Sequence, residues 1–218
     1  VIAFRGTNVT LNRLQAAMDL APMELEIGFT FLYDLDMPLL GPGMLWNAGR
    51  LFHVLEAAQW DNSFFKRVAG ADLGAITAIH ASLAAHDKQL IDVERLARRV
   101  GELKSFPHES PLRFLGYFAI LESLLTHAPK PTDPYDSVTR QVKRKVALLD
   151  HRWPDRINYT PFGNASSDTV WSKMYAYRSL LAHGEAPSEL TVLGSSEQAL
   201  QLVKETVKSV IRHALAEP

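Results

Sequence analysis

The feature that most restricts how this chain folds is an apolar stretch near its middle. Residues 112–128, LRFLGYFAILESLLTHA, are apolar on almost every side of a helix, and such a helix is stable only when its neighbours bury it. The most apolar part, residues 114–125, is shorter than the roughly 18 residues that cross a bilayer, and it carries Glu122. We therefore expect a central buried helix. Hydrophobic residues make up 47% of the chain, which is enough to build a core around it.

Helical periodicity on both sides of this stretch predicts a mainly α fold. The segment at 166–184 has Ser and Asp at its start and Gly at its end, which are helix start and stop signals. The segment at 195–216 opens with Ser195 and Gln198 in the spacing of a capping box. Together with the central helix, five segments predict an α-helical bundle of about six helices: 71–87, 90–103, 137–152, 166–184 and 195–216.

The first 70 residues have a less regular pattern and predict an N-terminal region of uncertain fold. Residues 11–22 have the pattern of a short helix, and residues 23–36 alternate as a strand does. We expect a small irregular or partly β region at 1–70, followed by one helical domain at 71–218. The chain begins with Val1 rather than Met, as a piece of a longer protein would.

The composition excludes several classes of function. No cysteine is present, which excludes disulfide scaffolds, thiolate metal sites and cysteine nucleophiles and is typical of a reducing compartment. The eight histidines include no HExxH pair, and the chain lacks a glycine-rich phosphate loop and a GxSxG turn, so we expect neither a metal nor another cofactor. No signal peptide or membrane span is visible, which favours a cytoplasmic protein without a membrane partner. The net charge of −1 gives no overall sign of nucleic-acid binding, so any such signal has to be local.

One local signal is a basic helix at residues 137–152. It carries five cations against a single acid, Asp150. These cations could contact the phosphates of a nucleic acid. The same charges are also explained by a solvated helix face, or by pairing with acids of a neighbouring helix. The predicted RNA-binding residues are Arg140, Lys143, Arg144 and Lys145.

A second local signal is the sequence YAYRSLLAHG at 175–184, where four residues separate Arg178 from His183. The spacing alone carries little weight, because a shuffled chain of this composition would contain roughly one or two such pairs, and this chain contains two. Arg178 shares a helix stripe with Tyr175, whereas His183 lies about 140° further round the axis. A site that uses both residues would need the arginine to curl round the helix, or a second chain.

Arg178 and His183 have a chemical explanation and a structural one. His183 precedes Gly184 at the end of the predicted helix, where unsatisfied carbonyls favour an imidazolium. A proton-transferring histidine beside an arginine that holds a phosphate suits phosphodiester cleavage without a metal. Alternatively, His183 only caps the helix and Arg178 pairs with a buried acid. Glu122, alone on the apolar central helix, needs a partner of that kind.

Three segments in this order resemble the Apea-like branch of the HEPN superfamily. They are RFLGYFAILESLL at 113–125, the basic VTRQVKRKVALLD at 138–150, and YRSLLAHG at 177–184, which ends in Arg-Ser-x-x-x-His-Gly. Three elements in the right order are more specific than the arginine–histidine spacing by itself. The resemblance covers about residues 75–216 and does not extend to residues 1–50.

The resemblance implies a HEPN-type α-helical bundle that forms a homodimer, with the R-x4–6-H motifs of two chains meeting in a shared cleft. Many such domains are metal-independent endoribonucleases of phage-defence, toxin–antitoxin, stress or RNA-processing systems. RNA and an antitoxin or other protein are therefore the expected partners. The motif carries over to Arg178 and His183. The ribose 2′-hydroxyl would attack the adjacent phosphorus, with His183 transferring protons and Arg178 steadying the phosphorane charge.

One position departs from the family pattern. Active members often have Asn, Asp or His directly after the arginine, and this chain has Ser179. Serine can hydrogen-bond but does not replace an acid or a base; with Tyr175 and Glu122, Ser179 is expected to support the site. The alternatives are a non-catalytic HEPN module that binds RNA, a nucleotide or a protein partner, and a purely structural bundle.

Overall fold

The computed structural model describes most of the chain from residue 68 onward and shorter stretches before it. The described residues are 8–23, 25, 30–32, 44–46, 68–86, 92–107, 109–128, 137–154, 156–185 and 192–216. Within them lie seven α-helices, one pair of strands and one turn of 3-10 helix. Their bounds are α1 Asn8–Leu20, β1 Thr30–Leu32, β2 Met44–Trp46, α2 Gly70–Ala85, α3 Val93–Leu103, α4 Pro111–Leu125, α5 Val138–Arg152, the 3-10 turn Thr160–Phe162, α6 Ser167–Ala182 and α7 Ser196–Ala216.

The chain divides into two compact units, and the first contains α1, β1, β2, α2 and α3. The strands form an antiparallel pair in which Phe31 lies opposite Leu45. α1 packs against both α2 and α3. Just after α3, Lys104 Nζ lies 2.8 Å from Asp19 Oδ1 of α1, and both side chains are buried. Removing one partner of a buried ion pair costs about 3–5 kcal/mol, so this contact helps to fix α3 on α1.

This division falls at a different place from the domain boundary expected at residue 70. The expected second domain, 71–218, would place α2 and α3 with the later helices, whereas their contacts group them with α1. The physical reason is that α1 covers the apolar face of α3. Leu96, Ala97 and Val100 recur at helical spacing and are buried, and α1 is a helix against which α3 packs.

Of the N-terminal region, the structure describes α1 and the two short strands. The short helix expected at 11–22 is present, with the bounds of α1. The strand expected at 23–36 overlaps β1, which has three residues. Most of the range 1–70 lies outside the described residues, so the small irregular or partly β region stays a prediction.

The second unit is a helical bundle built around α4. α4 packs against α5, α6 and α7. Its buried side chains lie on one broad side of the helix: Arg113, Phe114, Tyr117, Phe118, Ile120, Leu121 and Leu125. Leu112 and Ala119, on the opposite side, are exposed, so the burial on every side that the apolar sequence predicts is wrong for this side. The mainly α fold and the helical bundle expected from the sequence are confirmed for the described residues. Neither α4 nor any other helix in the described ranges has both the length and the apolarity to cross a membrane.

Aromatic side chains join α4 to α6. The rings of Phe118 and Tyr175 meet edge to face with centroids 4.9 Å apart, and Phe114 meets Tyr177 in a similar way at 4.8 Å. Edge-to-face contacts add about 0.5–1.5 kcal/mol each to the burial of the rings. Glu122 follows Phe118 by one helical turn, so the face of α4 that holds Tyr175 also directs a carboxylate toward α6.

Both ends of α6 are capped as the sequence predicts. Ser166 accepts a hydrogen bond at 3.2 Å from the backbone N–H three residues later. At the other end, Gly184 has a left-handed backbone with φ of 75°, and the N–H groups of Gly184 and Glu185 donate to the carbonyls of Leu181 and Leu180. This is the Schellman arrangement, which favours glycine because a Cβ is strained at positive φ.

We predict that Gly184→Ala destabilises the second unit by about 1 kcal/mol, because alanine is strained in the left-handed conformation that ends α6. No atom lies within 4 Å of the position that a Cβ would occupy at Gly184. The effect is therefore conformational and not a steric clash. Urea-induced unfolding followed by circular dichroism measures the loss.

Gly74→Ala is the matched control. Gly74 lies inside α2, and a Cβ there also meets nothing within 4 Å. Alanine is favoured over glycine inside a helix by about 0.5–1 kcal/mol, so this change should stabilise the first unit. An unchanged stability in Gly184→Ala, or an equal loss in both variants, would contradict this account of the end of α6.

Candidate functional site

An open depression of about 520 Å³ lies on the second unit, where α4, the start of α5 and α6 come together. Its size falls within the range of roughly 300–1,000 Å³ that small-molecule sites occupy. Four residues predicted for the site from the sequence line it: Glu122, Tyr175, Arg178 and Ser179. The fold therefore brings together residues that are far apart in the chain. Glu122 and Arg178, for example, are 56 positions apart.

An ion pair at the depression joins α4 to α6. Arg178 Nη2 donates a hydrogen bond to Glu122 Oε2 at 3.3 Å. The side chain of Glu122 is 19% exposed and that of Arg178 is 39% exposed, so the pair lies at the edge of the core. This contact confirms the structural explanation of Arg178 that the sequence offered. Arg178 is the partner of Glu122, the lone acid on the central helix. The guanidinium nevertheless still reaches solvent.

Tyr175 lies beside this ion pair and is half-buried. Its hydroxyl donates to the carbonyl oxygen of Val138, in the first turn of α5, at 3.5 Å. Burial raises the pKa of Tyr175 above its usual value, and the negative charge of Glu122 raises it further, while Arg178 acts in the opposite direction. The phenol therefore stays protonated at neutral pH and acts as a hydrogen-bond donor.

His183 lies apart from this cluster. It ends α6 with φ of −89° and ψ of 0°, its side chain is exposed, and it does not line the depression. Within the described part of the chain, no side chain hydrogen-bonds to its imidazole. The fold thus brings Arg178 to Glu122 and not to His183. This agrees with the angle of about 140° that separates Arg178 and His183 around one helix.

Three of the four predicted RNA-binding residues of α5 are exposed: Arg140, Arg144 and Lys145. Lys143 is engaged instead, since its Nζ lies 2.6 Å from Asp168 Oδ1 and 2.9 Å from Ser172 Oγ, both on α6. Arg144 and Lys145 form no ion pair in the ranges that the structure describes. Lys143 therefore joins α5 to α6, and the other three predicted RNA-binding residues give α5 a positive outer face.

The sequence did not single out three residues that complete the lining: Val138, Thr139 and Ala176. Val138 and Thr139 open α5, whose N-cap is Ser137, and the N–H groups of a first helical turn have no carbonyl partner within the helix. They place the positive end of the α5 dipole beside the depression. No signal in the sequence marks these residues, because their position depends on how α5 packs against α6.

The comparisons with protein-family models, with curated proteins and with solved structures find no match for this chain. Among the described residues, no three His, Asp or Glu side chains are grouped so that they could hold a metal ion. The groups at and near the depression are a guanidinium, a carboxylate, a phenol and, at the end of the same helix, an exposed imidazole. Such groups can bind a phosphate ester and move protons.

We predict that Glu122→Gln lowers the pKa of Tyr175, because it removes the negative charge that raises this pKa most after burial. The pKa of Tyr175 is higher in the folded chain than in the unfolded one. The contribution of this phenol to the free energy of unfolding is therefore complete below the ordinary pKa of about 10 and is lost as the pH rises through the folded-state pKa. The change in ultraviolet absorbance on phenol ionisation, followed as the pH rises, measures the shift.

The chain has six tyrosines, so the Tyr175→Phe variant identifies the relevant part of this titration. In that background, Glu122→Gln should leave the titration unchanged. An identical curve for the wild type and Glu122→Gln would show that the carboxylate does not act on the phenol.

Proposed function

We propose that the chain is a HEPN-type endoribonuclease that cleaves RNA, without a metal ion, by attack of the ribose 2′-hydroxyl on the adjacent phosphorus. The observation that carries the proposal is the placement of Arg178 and His183 at the end of α6, with Arg178 lining an open depression of about 520 Å³. Arg178 keeps part of its side chain exposed although it is paired with Glu122. The order of the three segments that resemble the HEPN family supports the same function.

In this proposal two copies of the chain form one site. His183 lies outside the depression that Arg178 lines, and about 140° separates Arg178 and His183 around α6. A single chain therefore does not direct both side chains at one phosphate. A symmetric pair in which the ends of α6 face each other would supply an arginine and a histidine to the same phosphate from different copies. A homodimer is for this reason part of the proposal.

In the proposed reaction, phosphorus loses its bond to the 5′-oxygen of the next nucleotide and gains a bond to the ribose 2′-oxygen. An imidazole of His183 accepts the proton of the 2′-hydroxyl as its oxygen forms a bond to phosphorus. The bond between phosphorus and the 5′-oxygen of the next nucleotide breaks, and that oxygen takes a proton from a water molecule, to which the His183 imidazolium returns the proton that it accepted. The products are a 2′,3′-cyclic phosphate and a 5′-hydroxyl end. Arg178 donates to the nonbridging oxygens, whose negative charge rises in the transition state.

The positive outer face of α5 would guide RNA to this site. Arg140, Arg144 and Lys145 are exposed on the helix whose first turn borders the depression. Phosphate contacts supply most of the sequence-independent affinity of proteins for nucleic acids. Phage defence, a toxin–antitoxin pair or a stress response in the cytoplasm, with an antitoxin or other protein as a partner, is the setting that the resemblance implies.

A second candidate function is a non-catalytic HEPN module that binds RNA, a nucleotide or a protein partner. It is favoured by one observation, which is that the Arg178 guanidinium already has an acid partner in its own chain at 3.3 Å. Ser179 also adds no titrating group where active members often have one. Such a module would bind through the same face and leave RNA intact.

We predict that the wild type cleaves single-stranded RNA in excess EDTA and that His183→Ala cleaves it about 10²- to 10⁴-fold more slowly. A positioned acid–base group contributes a factor of about that size. The rate of cleavage of end-labelled RNA measures the difference. His80→Ala is the matched control and should retain the wild-type rate, since His80 lies on α2 in the other compact unit.

Equal rates for the wild type and His183→Ala would remove His183 from the mechanism. If the wild type binds RNA but cleaves none of a varied set of sequences, the non-catalytic module is the better account. Cleavage that EDTA abolishes would contradict the metal-independent route.

We predict that the double change Arg144→Gln and Lys145→Gln weakens RNA binding and makes it less sensitive to salt. Each lost contact with a phosphate of single-stranded RNA lowers the slope of log affinity against log salt concentration by about 0.7. Fluorescence anisotropy at several salt concentrations measures both effects. Arg98→Gln with Arg99→Gln, on the exposed side of α3, changes the net charge equally. An equal effect of both double changes would show that α5 is not the contact face.

A further inference from the structure

The depression at Glu122 and Arg178 has a charge balance that suits a neutral ligand. Of the described residues that line it, one is a cation and one is an anion, and their nearest atoms are 3.3 Å apart. The carboxylate repels a phosphate beside it, so a phosphate would lie on the Arg178 side of the depression and leave the part next to Glu122 to an uncharged group. A planar, uncharged group whose edge carries hydrogen-bond donors and acceptors fits better, and in RNA such groups are the bases.

The carboxylate of Glu122 keeps unused capacity to accept hydrogen bonds. An ionised carboxylate offers about four lone-pair sites. Arg178 uses one of them, on Oε2, while the single O–H of Tyr175 is donated to the carbonyl of Val138 instead. At least one site therefore remains on each carboxylate oxygen, on a side chain that is only 19% exposed to competing water.

Guanine is the base of RNA that matches two free acceptors side by side. Its Watson–Crick edge carries the N1–H and the N2 amino group next to each other, and a single carboxylate can accept from both. Adenine and cytosine each present one amino group on that edge, and uracil presents one N–H. The number and spacing of the donors therefore separate guanine from the other three bases.

The rest of the lining suits the flat faces of a base. Val138, Ala176 and the ring of Tyr175 contribute apolar surface. The edge-to-face contact with Phe118 holds the Tyr175 ring in place, so little ordering of this side chain is needed when a ligand binds. Bases commonly stack on aromatic side chains in proteins that bind single-stranded RNA.

We propose that the depression is a guanine-binding subsite, in which the Glu122 carboxylate accepts hydrogen bonds from N1–H and the N2 amino group of the base. Arg178 stays at the rim and holds the neighbouring phosphate. The subsite rests on the proposed function, because it takes RNA to be the ligand of this face. It makes Glu122 the residue that determines specificity and adds a preference for guanine next to the cleaved phosphate, which Arg178 and His183 alone do not specify.

Calorimetric titration of the wild-type chain with mononucleotides tests the subsite without any RNA cleavage. Guanosine monophosphate should bind about 5- to 100-fold more tightly than adenosine monophosphate, the range that a good bidentate base contact gives. Inosine monophosphate differs from guanosine monophosphate only by the missing N2 amino group. Its binding should be weaker by about fivefold or more, and this difference isolates one of the two proposed hydrogen bonds.

The Glu122→Gln variant tests the residue itself. Its amide offers one acceptor oxygen and one donor group, so the affinity for guanosine monophosphate should fall to that for adenosine monophosphate. Glu109→Gln removes the same charge from an exposed position outside the depression and should keep the guanine preference. If Glu122→Gln does not fold, the wild-type ratio of guanosine to inosine monophosphate affinities decides the question alone.

Equal affinities for the three mononucleotides, binding of none of them, or a guanine preference that persists in Glu122→Gln would overturn the subsite. RNA cleavage judges the proposed function separately. Cleavage with no preference for sites at guanine would overturn the subsite and leave the nuclease. A guanine preference in a chain that cleaves no RNA would support the subsite and overturn the nuclease.

Discussion

The charge of Glu122 is the constraint around which the outer face of the second unit is organised. α4 is apolar on nearly every side, and its one acid has to meet a cation or reach water. It does both, since its side chain is 19% exposed and Arg178 lies 3.3 Å away. An exposed ion pair contributes about 0–1 kcal/mol, whereas removing one partner of a buried pair costs about 3–5 kcal/mol. At the partial burial seen here, the pair matters most for geometry, because it fixes the arginine relative to α4 and shapes the depression beside it.

This ion pair also explains why one chain holds only part of the proposed nuclease site. It directs Arg178 toward α4, while the turn at Gly184 ends the helix and leaves His183 exposed beyond the depression. Within one copy, Arg178 therefore lines the depression, whereas His183 lies outside it. A second copy, with the ends of α6 facing each other, is the arrangement that would unite them, and the intrachain pair would then hold the arginine ready for a phosphate.

Much of the second unit could be predicted from the sequence because its determinants are local. The apolar stretch around Phe118 requires other helices to bury it, the end of α6 is marked by its glycine, and a lone acid on an apolar helix requires a cation. Other features depend on which helix meets which. An amphipathic pattern shows which face of α3 is buried but not that α1 covers it. Likewise, nothing near Lys143 in the sequence shows that Asp168 engages it or that Thr139 lines the depression.

The chemical nature of the RNA ends is the most direct test of a metal-independent cleavage by the 2′-hydroxyl. The measurement is mass spectrometry of the fragments that the wild-type chain produces in excess EDTA, from an RNA and from the same RNA with one 2′-deoxyribose at the cleaved position. The predicted result is a 2′,3′-cyclic phosphate and a 5′-hydroxyl end from the first RNA, and no cleavage at that position in the second. Fragments with 3′-hydroxyl and 5′-phosphate ends, or cleavage at the 2′-deoxyribose, would contradict the proposed chemistry.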